Sequence, residues 1–411
     1  MLDSVAVLAD PAGMQLEEIA ARALARGEAL GALAAVGRLD TPRALTMRGI
    51  AYAQLGDRDL AREALRRAMA IGSDPLGLAR ARAALVELGL DDEDPEITTH
   101  DALASSDELL ACGDARNAAM QRLVAARAEV LRGRLGTART IVGEVKAEHL
   151  PSDVRAVLAL AAAEIAIRGL VATEARRELA RARMLLSAAP HALLGRALVA
   201  LEEELARPIA RIARRGVTEP ADLLAIEDAA HGDELLVDAC RCLCLAGRAV
   251  VPLARRPVLF ALLLALARGT EGRDALVAAA FSVRRPNASH RQRLRVEVGR
   301  LRKELAGLGA APVATPEGYR LESSRPVVVL LPPTDDDGAR IALLLGDGAA
   351  WTARSLAAHA GVSRSTAQRT LRALVEAGTV TRLGQGRDLR YVRSGPPVAS
   401  RMLLLGLVPP T

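Results

Sequence analysis

Guanidinium groups gathered on helical segments are the clearest chemistry this 411-residue sequence offers. Between Arg284 and Lys303 lie eight Arg or Lys residues, with Glu297 the only acid. A helix is predicted from near Ser289 to Leu305, ended by Gly307 and Gly309. Within it Leu294, Val298, Leu301 and Leu305 recur at spacings of 4, 3 and 4, the period of one buried helix face. That leaves Arg291, Arg295, Arg302 and Lys303 for the other faces. A helix about 10–12 Å across fits a major groove, where Arg reaches guanine edges or phosphates. A second set falls in a predicted helix Ser363–Ala377, capped by Ser363, whose N-terminal half carries Arg364, Ser365, Thr366, Gln368, Arg369 and Arg372. After it, predicted strands Thr379–Leu383 and Leu389–Arg393 flank a Gly-rich tip, Gly384-Gln385-Gly386-Arg387-Asp388, suited to a hairpin. Arg382, Arg387 and Arg390 belong to that hairpin. Residues 351–395 hold 8 basic against 2 acidic residues, a balance that suits DNA and would also suit RNA.

Other chemistries find less support. Three of the four cysteines, Cys240, Cys242 and Cys244, crowd into five residues of a strand-like stretch. In an extended strand, residues two apart lie roughly 6.6–7 Å from each other, too far to share the ~2.3 Å bonds of one zinc. Buried thiols are therefore expected rather than a metal or redox site. The six histidines (100, 149, 191, 231, 290, 359) lack a partner at ligand or catalytic spacing. Neither lysine, Lys146 or Lys303, follows Gly, so no phosphate-cradling Walker loop is present, nor a nucleophile elbow or HExxH. Gly384-Gln385-Gly386 lacks the third Gly and the strand-to-helix setting of a dinucleotide loop. Asp91-Asp92-Glu93-Asp94 reads as a solvated loop rather than a cation site, and Glu202–Glu204 as an exposed helix face. No enzyme, cofactor or metal is expected.

The charge is unevenly placed. Residues 1–230 hold 29 Lys+Arg against 34 Asp+Glu and residues 231–411 hold 26 against 15, so the second part suits a polyanion whose counterions it can release. With two lysines in the whole chain, the choice of Arg over Lys carries no weight. One Trp, three Tyr and two Phe mean the core must be aliphatic, and the length suggests roughly two to four domains. No apolar run reaches the ~18 residues of a membrane span, and Met1–Met14 lacks the basic start of a signal peptide. A soluble chain in the reducing cytoplasm is expected.

The elements that must carry these groups differ between the two parts. From about Met14 to Asp228 apolar residues recur at helical spacing, with breaks at Gly, Pro or Asp every 12–20 residues, which predicts short antiparallel helices. Leu45, Gly49, Tyr52, Ala61, Leu65 and Ala68, with a turn at Gly56-Asp57, resemble a tetratricopeptide repeat, with Gly49 and Ala61 small where its helices cross; Leu45 and Arg48 replace the usual Trp and Leu. Further pairs are drawn at Asn117–Val145, Ser152–Leu186 and His191–Ala213. The resemblance implies, over residues 1–230, a surface for a protein or peptide partner or for a homodimer; a plain helical spacer is the alternative.

Beyond His231-Gly232, strands are predicted at Leu235–Ala239, Cys240–Leu245 and Ala249–Leu253, then helices at Arg256–Ala267 and Arg273–Phe281, the basic helix, and a hairpin turning at Pro316-Glu317-Gly318. Val298–Leu305 and Gly318-Tyr319-Arg320-Leu321 make residues 235–322 similar to the OmpR-family winged-helix effector domain. That resemblance implies DNA binding by the third helix, backbone contacts from the wing that carries Arg320, and contact with RNA polymerase from the loop Ser282–Ser289. Arg295 and Glu297 replace the usual Asp and His, so no base preference carries over, and a winged helix used for protein contact is the alternative. Residues 323–338 read as a linker around an apolar Val327–Leu331 strand. A helix Ala339–Leu345, a short strand at Trp351-Thr352, a helix Ala353–Ala360 and a turn at Gly361-Val362 then precede the second basic helix. The run Trp351–Gly378 resembles the winged helix-turn-helix of MarR- and IclR-like bacterial regulators, with Ala357, Gly361, Val362 and Leu371 in its core. Residues 339–395 form this domain and 396–411 a tail.

The expected fold is mainly α, a tetratricopeptide-like α-solenoid followed by two winged-helix domains with small β-hairpin wings. The expected function is a transcriptional regulator that binds double-stranded DNA. A non-enzymatic scaffold, with winged helices used for protein contact, is the alternative.

Overall fold

The computed structural model describes residues 11–90, 95–189, 192–283, 285–334, 341–342, 344–346, 349–386 and 389–393. The acidic run 91–94, Arg387 with Asp388, and the tail 396–411 lie outside the described residues. Two compact units are formed, one within 1–165 and 177–201, the other within 166–176 and 202–395.

Helices follow one another at short intervals: α1 (Pro11–Ala25), α2 (Ala29–Val36), α3 (Pro42–Leu55), α4 (Arg58–Ile71), α5 (Pro75–Gly89), α6 (Pro95–Ala111), α7 (Ala115–Leu131), α8 (Leu135–Gly143), α9 (Ser152–Arg168), α10 (Ala172–Ala188) and α11 (Ala192–Ala206). Gly-Asp steps build two of the turns. Gly56 leaves α3 with φ +87° and Asp57 starts α4 by accepting from Leu60 N at 3.2 Å. Gly113 (φ +79°) and Asp114 repeat the device before α7, with Asn117 N at 3.2 Å. Glycine suits the left-handed exit and aspartate satisfies an orphan amide at the next helix start.

The predicted crossing of α3 and α4 is present. Leu45, Ala61, Leu65 and Ala68 are buried in the aliphatic core of this unit, and a Cβ at Gly49 would come within 2.5 Å of Leu65 Cγ and 3.1 Å of Ala61 O. Arg48, at the position where the repeat pattern has Leu, turns aside and donates to Gly37 O and Asp40 Oδ1. Polar links join next-but-one helices: Arg80 Nε to Asp114 Oδ2 at 2.7 Å, Gln121 Nε2 to Ala83 O at 3.2 Å, and a buried Arg127–Glu164 pair.

The pair expected at His191–Ala213 does not form as two helices. After α11 the chain turns into strands β1 (Ala210–Arg214) and β2 (Val217–Ala221) and helix α12 (Leu223–His231). These are followed by β3 (Leu235–Asp238), β4 (Leu243–Ala246), β5 (Ala249–Pro252), α13 (Pro257–Ala267), α14 (Arg273–Phe281), α15 (Ala288–Leu305), β6 (Ala310–Ala314), β7 (Tyr319–Ser323) and β8 (Val327–Leu331). The main sheet has the order β2-β1-β8-β3-β4-β5. Strand β8, read from sequence as part of a connector, is an inner strand, antiparallel to β1 and parallel to β3 with Leu235 opposite Val327. Side chains of a strand alternate between faces. Accordingly Val327, Val329 and Leu331 join the core under α13–α15, and Val328 and Leu330 pack with Ile212, Leu236 and α12 on the other side. A strand apolar on both faces is one covered on both faces.

The cysteine stretch departs from the strand predicted over Cys240–Leu245. Cys240 and Cys242 stand in a turn, not a strand, because the buried Asp238 carboxylate accepts from Cys240 N (2.8 Å) and Arg241 N (2.9 Å) and folds the chain over itself. Burial raises the Asp238 pKa against the opposing pull of Arg241 and these amides. Cys242 takes φ +53° there. The thiols of Cys240, Cys242 and Cys244 are buried, and burial pushes that of Cys244 up to about 12.

At the C-terminal end lie α16 (Ala353–Ala360), α17 (Arg364–Glu376), β9 (Val380–Leu383) and β10 (Arg390–Arg393). Ile341, Leu344 and Leu345, on helical backbone, close a small core with Leu356, Ala360, Ala367 and Leu371. Trp351 pairs with Tyr391 through both backbone hydrogen bonds (2.9 and 2.7 Å), tying the hairpin to the helices. The fold is thus mainly α, with short hairpins standing as winged-helix wings beside three-helix groups.

At its turn the hairpin β6–β7 is docked through backbone. Gly318 bridges Gly272, Arg273 N donates to Glu317 O and Tyr319 N to Glu271 O, and a Cβ at Gly318 would sit 2.1 Å from Glu271 O. Gly318→Ala should therefore destabilise this unit by about 1–3 kcal/mol, the usual scale of overpacking. The expected readout is a lower unfolding midpoint together with faster hydrogen exchange at Tyr319 N. An unchanged midpoint and unchanged exchange would show that the backbone contact is not needed.

Candidate nucleic-acid interface

Helix α17 is set by its caps. Gly361 ends α16 with φ +68°, its N–H donating to Ala357 O. Val362 N donates to the same carbonyl at 3.0 Å, and Ser363 Oγ then accepts from Thr366 N at 3.0 Å. That sequence of hydrogen bonds makes the tight turn between the two helices. Ala367 and Leu371 are buried against α16, so Arg364, Gln368 and Arg372, four residues apart, fall in one row with Arg369 beside it. All four are exposed. No ion pair or side-chain hydrogen bond joins Arg364, Arg369, Arg372, Arg382 or Arg390 to another described residue. Ser365 and Thr366 are less free, because their hydroxyls lie 2.8 and 2.9 Å from Ser363 Oγ and share in the cap. Arg393, at the far end of β10, is held by Glu204, and Arg168 donates to its carbonyl at 3.2 Å. Glu204 is accordingly a partner in an ion pair, not an open helix face.

Helix α15 keeps the predicted seam, with Leu294, Val298, Leu301 and Leu305 all in the core, and Asn287 caps it through His290 N at 3.0 Å. Its nominated cations divide into two groups. Arg295 and Lys303 are exposed with no partner among the described residues. Arg291 is clamped by Asp274 of α14 through two bonds of 2.7 Å. Arg302 donates through Nε and Nη2 to Pro312 O (3.2 and 2.7 Å), joining helix to wing. On β7, Arg320 pairs with Glu322, its Nε 3.0 Å from Oε1. The same helix carries two arginines not nominated from sequence. Arg293 lies over the Phe281 ring at 4.7 Å and Arg300 pairs with the buried Glu297 at 3.0 Å. Their positions off the apolar seam were the available signal.

The electrostatics follow the geometry. The Arg291 guanidinium beside Asp274 holds that carboxyl below the ordinary aspartate range, and the carboxylate raises Arg291 in return. Glu322 raises Arg320 in the same way. Among the described residues no group of His, Cys, Asp and Glu side chains could hold a metal ion. No helix there is long and apolar enough to cross a membrane.

Two capped helices at a glycine turn, a third element at 341–345 and a hairpin wing define a winged helix-turn-helix. Residues 341–384 match the model of the IclR helix-turn-helix domain. Searches of curated proteins and of solved structures return no match. The C-terminal domain is similar to the DNA-binding domain of that family, and the class this supports is the DNA-binding transcriptional regulators, with a helical N-terminal region.

Because the folded pKa of Asp274 is depressed, the Asp274–Arg291 pair is intact at neutral pH. Its contribution to folding is lost only as pH falls through that lowered value. A carboxyl NMR titration should place Asp274 below the ordinary aspartate value of about 3.9, and Arg291→Gln should return it there. An Asp274 midpoint that ignores the substitution would mean that the pair does not form in solution.

Proposed function

We propose that this protein is a transcriptional regulator that binds double-stranded DNA, with α17 as its principal reading helix. The observation that carries the reading is the outward row Arg364, Gln368, Arg369 and Arg372, unengaged within the described chain, on a domain similar to the IclR helix-turn-helix. Arginine binds guanine N7 and O6 or phosphate in the major groove, and glutamine suits adenine. Arg364 and Thr366 at the helix start lie near the positive end of the helix dipole, which favours phosphate. The wing, with Arg382 and Arg390, follows the adjacent backbone.

The sheet and helices from β1 to β8 act in this reading as a second, OmpR-type winged helix, wider than the 235–322 expected from sequence because β1, β2 and β8 join its sheet. Arg295 and Lys303 are its available DNA contacts, with Arg291, Arg302 and Arg320 in supporting roles and the segment Ser282–Ser289, whose last two residues open α15, as the RNA polymerase face. The tetratricopeptide-like helices before it receive a protein partner or a second copy of the chain. The regulator works in the cytoplasm and carries out no catalysis. Two DNA-contacting modules on one chain raise the effective concentration of each at a composite site.

One observation favours a second reading for the first winged helix alone. Three of its five nominated cations already have partners within the fold, as suits a domain that contacts protein. Gel-shift titrations of the whole chain over a salt series separate the two. DNA binding should fall steeply with salt. Arg369→Ala should weaken it by about 1–3 kcal/mol, the scale of a base-contacting arginine, or lower the salt slope by about one if it meets phosphate. Arg291→Ala should change it less. Absence of binding at low salt, or an Arg369→Ala protein that binds as the parent does, overturns the reading.

A further inference from the structure

The helical unit contains a cavity of about 380 Å³ between α6, α7 and the segment that follows α8, within the 300–1,000 Å³ typical of small-molecule sites. Its floor is aliphatic: Ala118, Ala119 and Leu150 are buried there, and Leu110, half exposed, stands at its mouth. Its polar groups are Ser106, Arg122, Glu144, Lys146 and His149. Lys146 and His149 lie on the segment that follows α8 and have no ion-pair partner among the described residues. Arg122 reaches in from α7 with Glu144 at 2.9 Å. A separate observation comes from Ser106 of α6. The residue has 0% exposure, its Oγ has no hydrogen-bond partner, and it forms part of the cavity wall. A buried hydroxyl left unpaired is destabilising, so a group that bonds it is favoured to enter.

We infer that this cavity is a binding site for a small organic carboxylate with an apolar body. The aliphatic floor takes the hydrocarbon part, which gains by leaving water. Lys146 and His149 face the carboxylate at the rim, and the Ser106 hydroxyl donates to one of its oxygens. Arg122 and Glu144 neutralise each other, so the charge left over belongs to Lys146 and calls for one negative charge on the ligand. A dianion would leave a charge unmatched, and an uncharged hydrocarbon would leave Ser106 and Lys146 unanswered. The helical unit would thus sense a metabolite of this class as well as any protein partner. This inference does not rest on DNA binding.

Isothermal titration calorimetry and thermal unfolding of the full chain, with octanoate as probe and 1-octanol as its uncharged counterpart, test it. Octanoate should bind saturably at one site and raise the melting temperature, and 1-octanol should bind at least about tenfold more weakly, the scale of one charged hydrogen bond. Lys146→Ala, at an exposed position outside the helices, should weaken octanoate by about the same factor. Ala115→Trp, exposed at the start of α7 on the cavity edge, should abolish binding while circular dichroism stays that of the parent. Equal affinity for both probes, no saturable binding, or octanoate binding that survives both substitutions overturns the site. Loss in Ala115→Trp with Lys146→Ala unchanged overturns the carboxylate assignment.

Discussion

The seating of α15 and α17 by their apolar seams governs what the rest of the second unit can do. Leu294, Leu301 and Leu305 are almost fully buried beneath α15, as Ala367 and Leu371 are beneath α17. Each fully buried leucine is worth about 1.5–3 kcal/mol relative to exposure, far more than an exposed ion pair at about 0–1 kcal/mol. The seams therefore set the rotation of each helix, and the arginines take whatever direction the seams leave. With so few aromatic rings, that fixing is done by aliphatic side chains at close range. Small residues such as Ala280, Ala357 and Ala360 let the supporting helices approach.

In the helical unit the same economy of side-chain volume brings backbones close, and polar groups become trapped between α5, α7 and α9. Arg127 and Glu164 form an ion pair with side chains 3% and 8% exposed. Burying two charges gives little net stability, whereas removing one partner leaves an unpaired charge and is expensive. Such links penalise misregistered stacking more than they strengthen correct stacking. Asp114 combines both duties, since it caps α7 through Asn117 N and also accepts from Arg80. A one-residue slip of α5 on α7 would break the second bond while leaving the first.

What could be read from the amino-acid order was local. The seam of α15, the Ser363 cap, the Gly56-Asp57 turn and the close approach at Gly49 all depend on residues within one or two turns or on one adjacent helix. The sheet was not local. β8 reaches its partner β3 across 92 residues, from Leu235 to Val327, and its five consecutive apolar residues carry no alternation to say which face is inside. They do carry another message, that both faces are covered, which sits badly with a linker. The turn at Cys240–Cys242 escaped for a different reason. β-propensity favours a strand there, but one buried aspartate offers two amides a competing acceptor and wins.

The uneven state of the arginines follows from the same limit and changes how net charge should be weighed. Cations crowd both basic helices, but on α15 a carboxylate from another helix has already met Arg291, a backbone carbonyl Arg302, and a ring Arg293. Asp274 lies seventeen residues from Arg291 in sequence, on a separate helix, and nothing in spacing announces it. A guanidinium that keeps a bidentate carboxylate has to exchange that bond before it gains one to phosphate, so it releases few counterions on binding DNA. The free row on α17 makes no such exchange. A smaller domain with less total charge can for that reason hold the stronger claim on a polyanion, and the useful measure is the number of unengaged cations on one face.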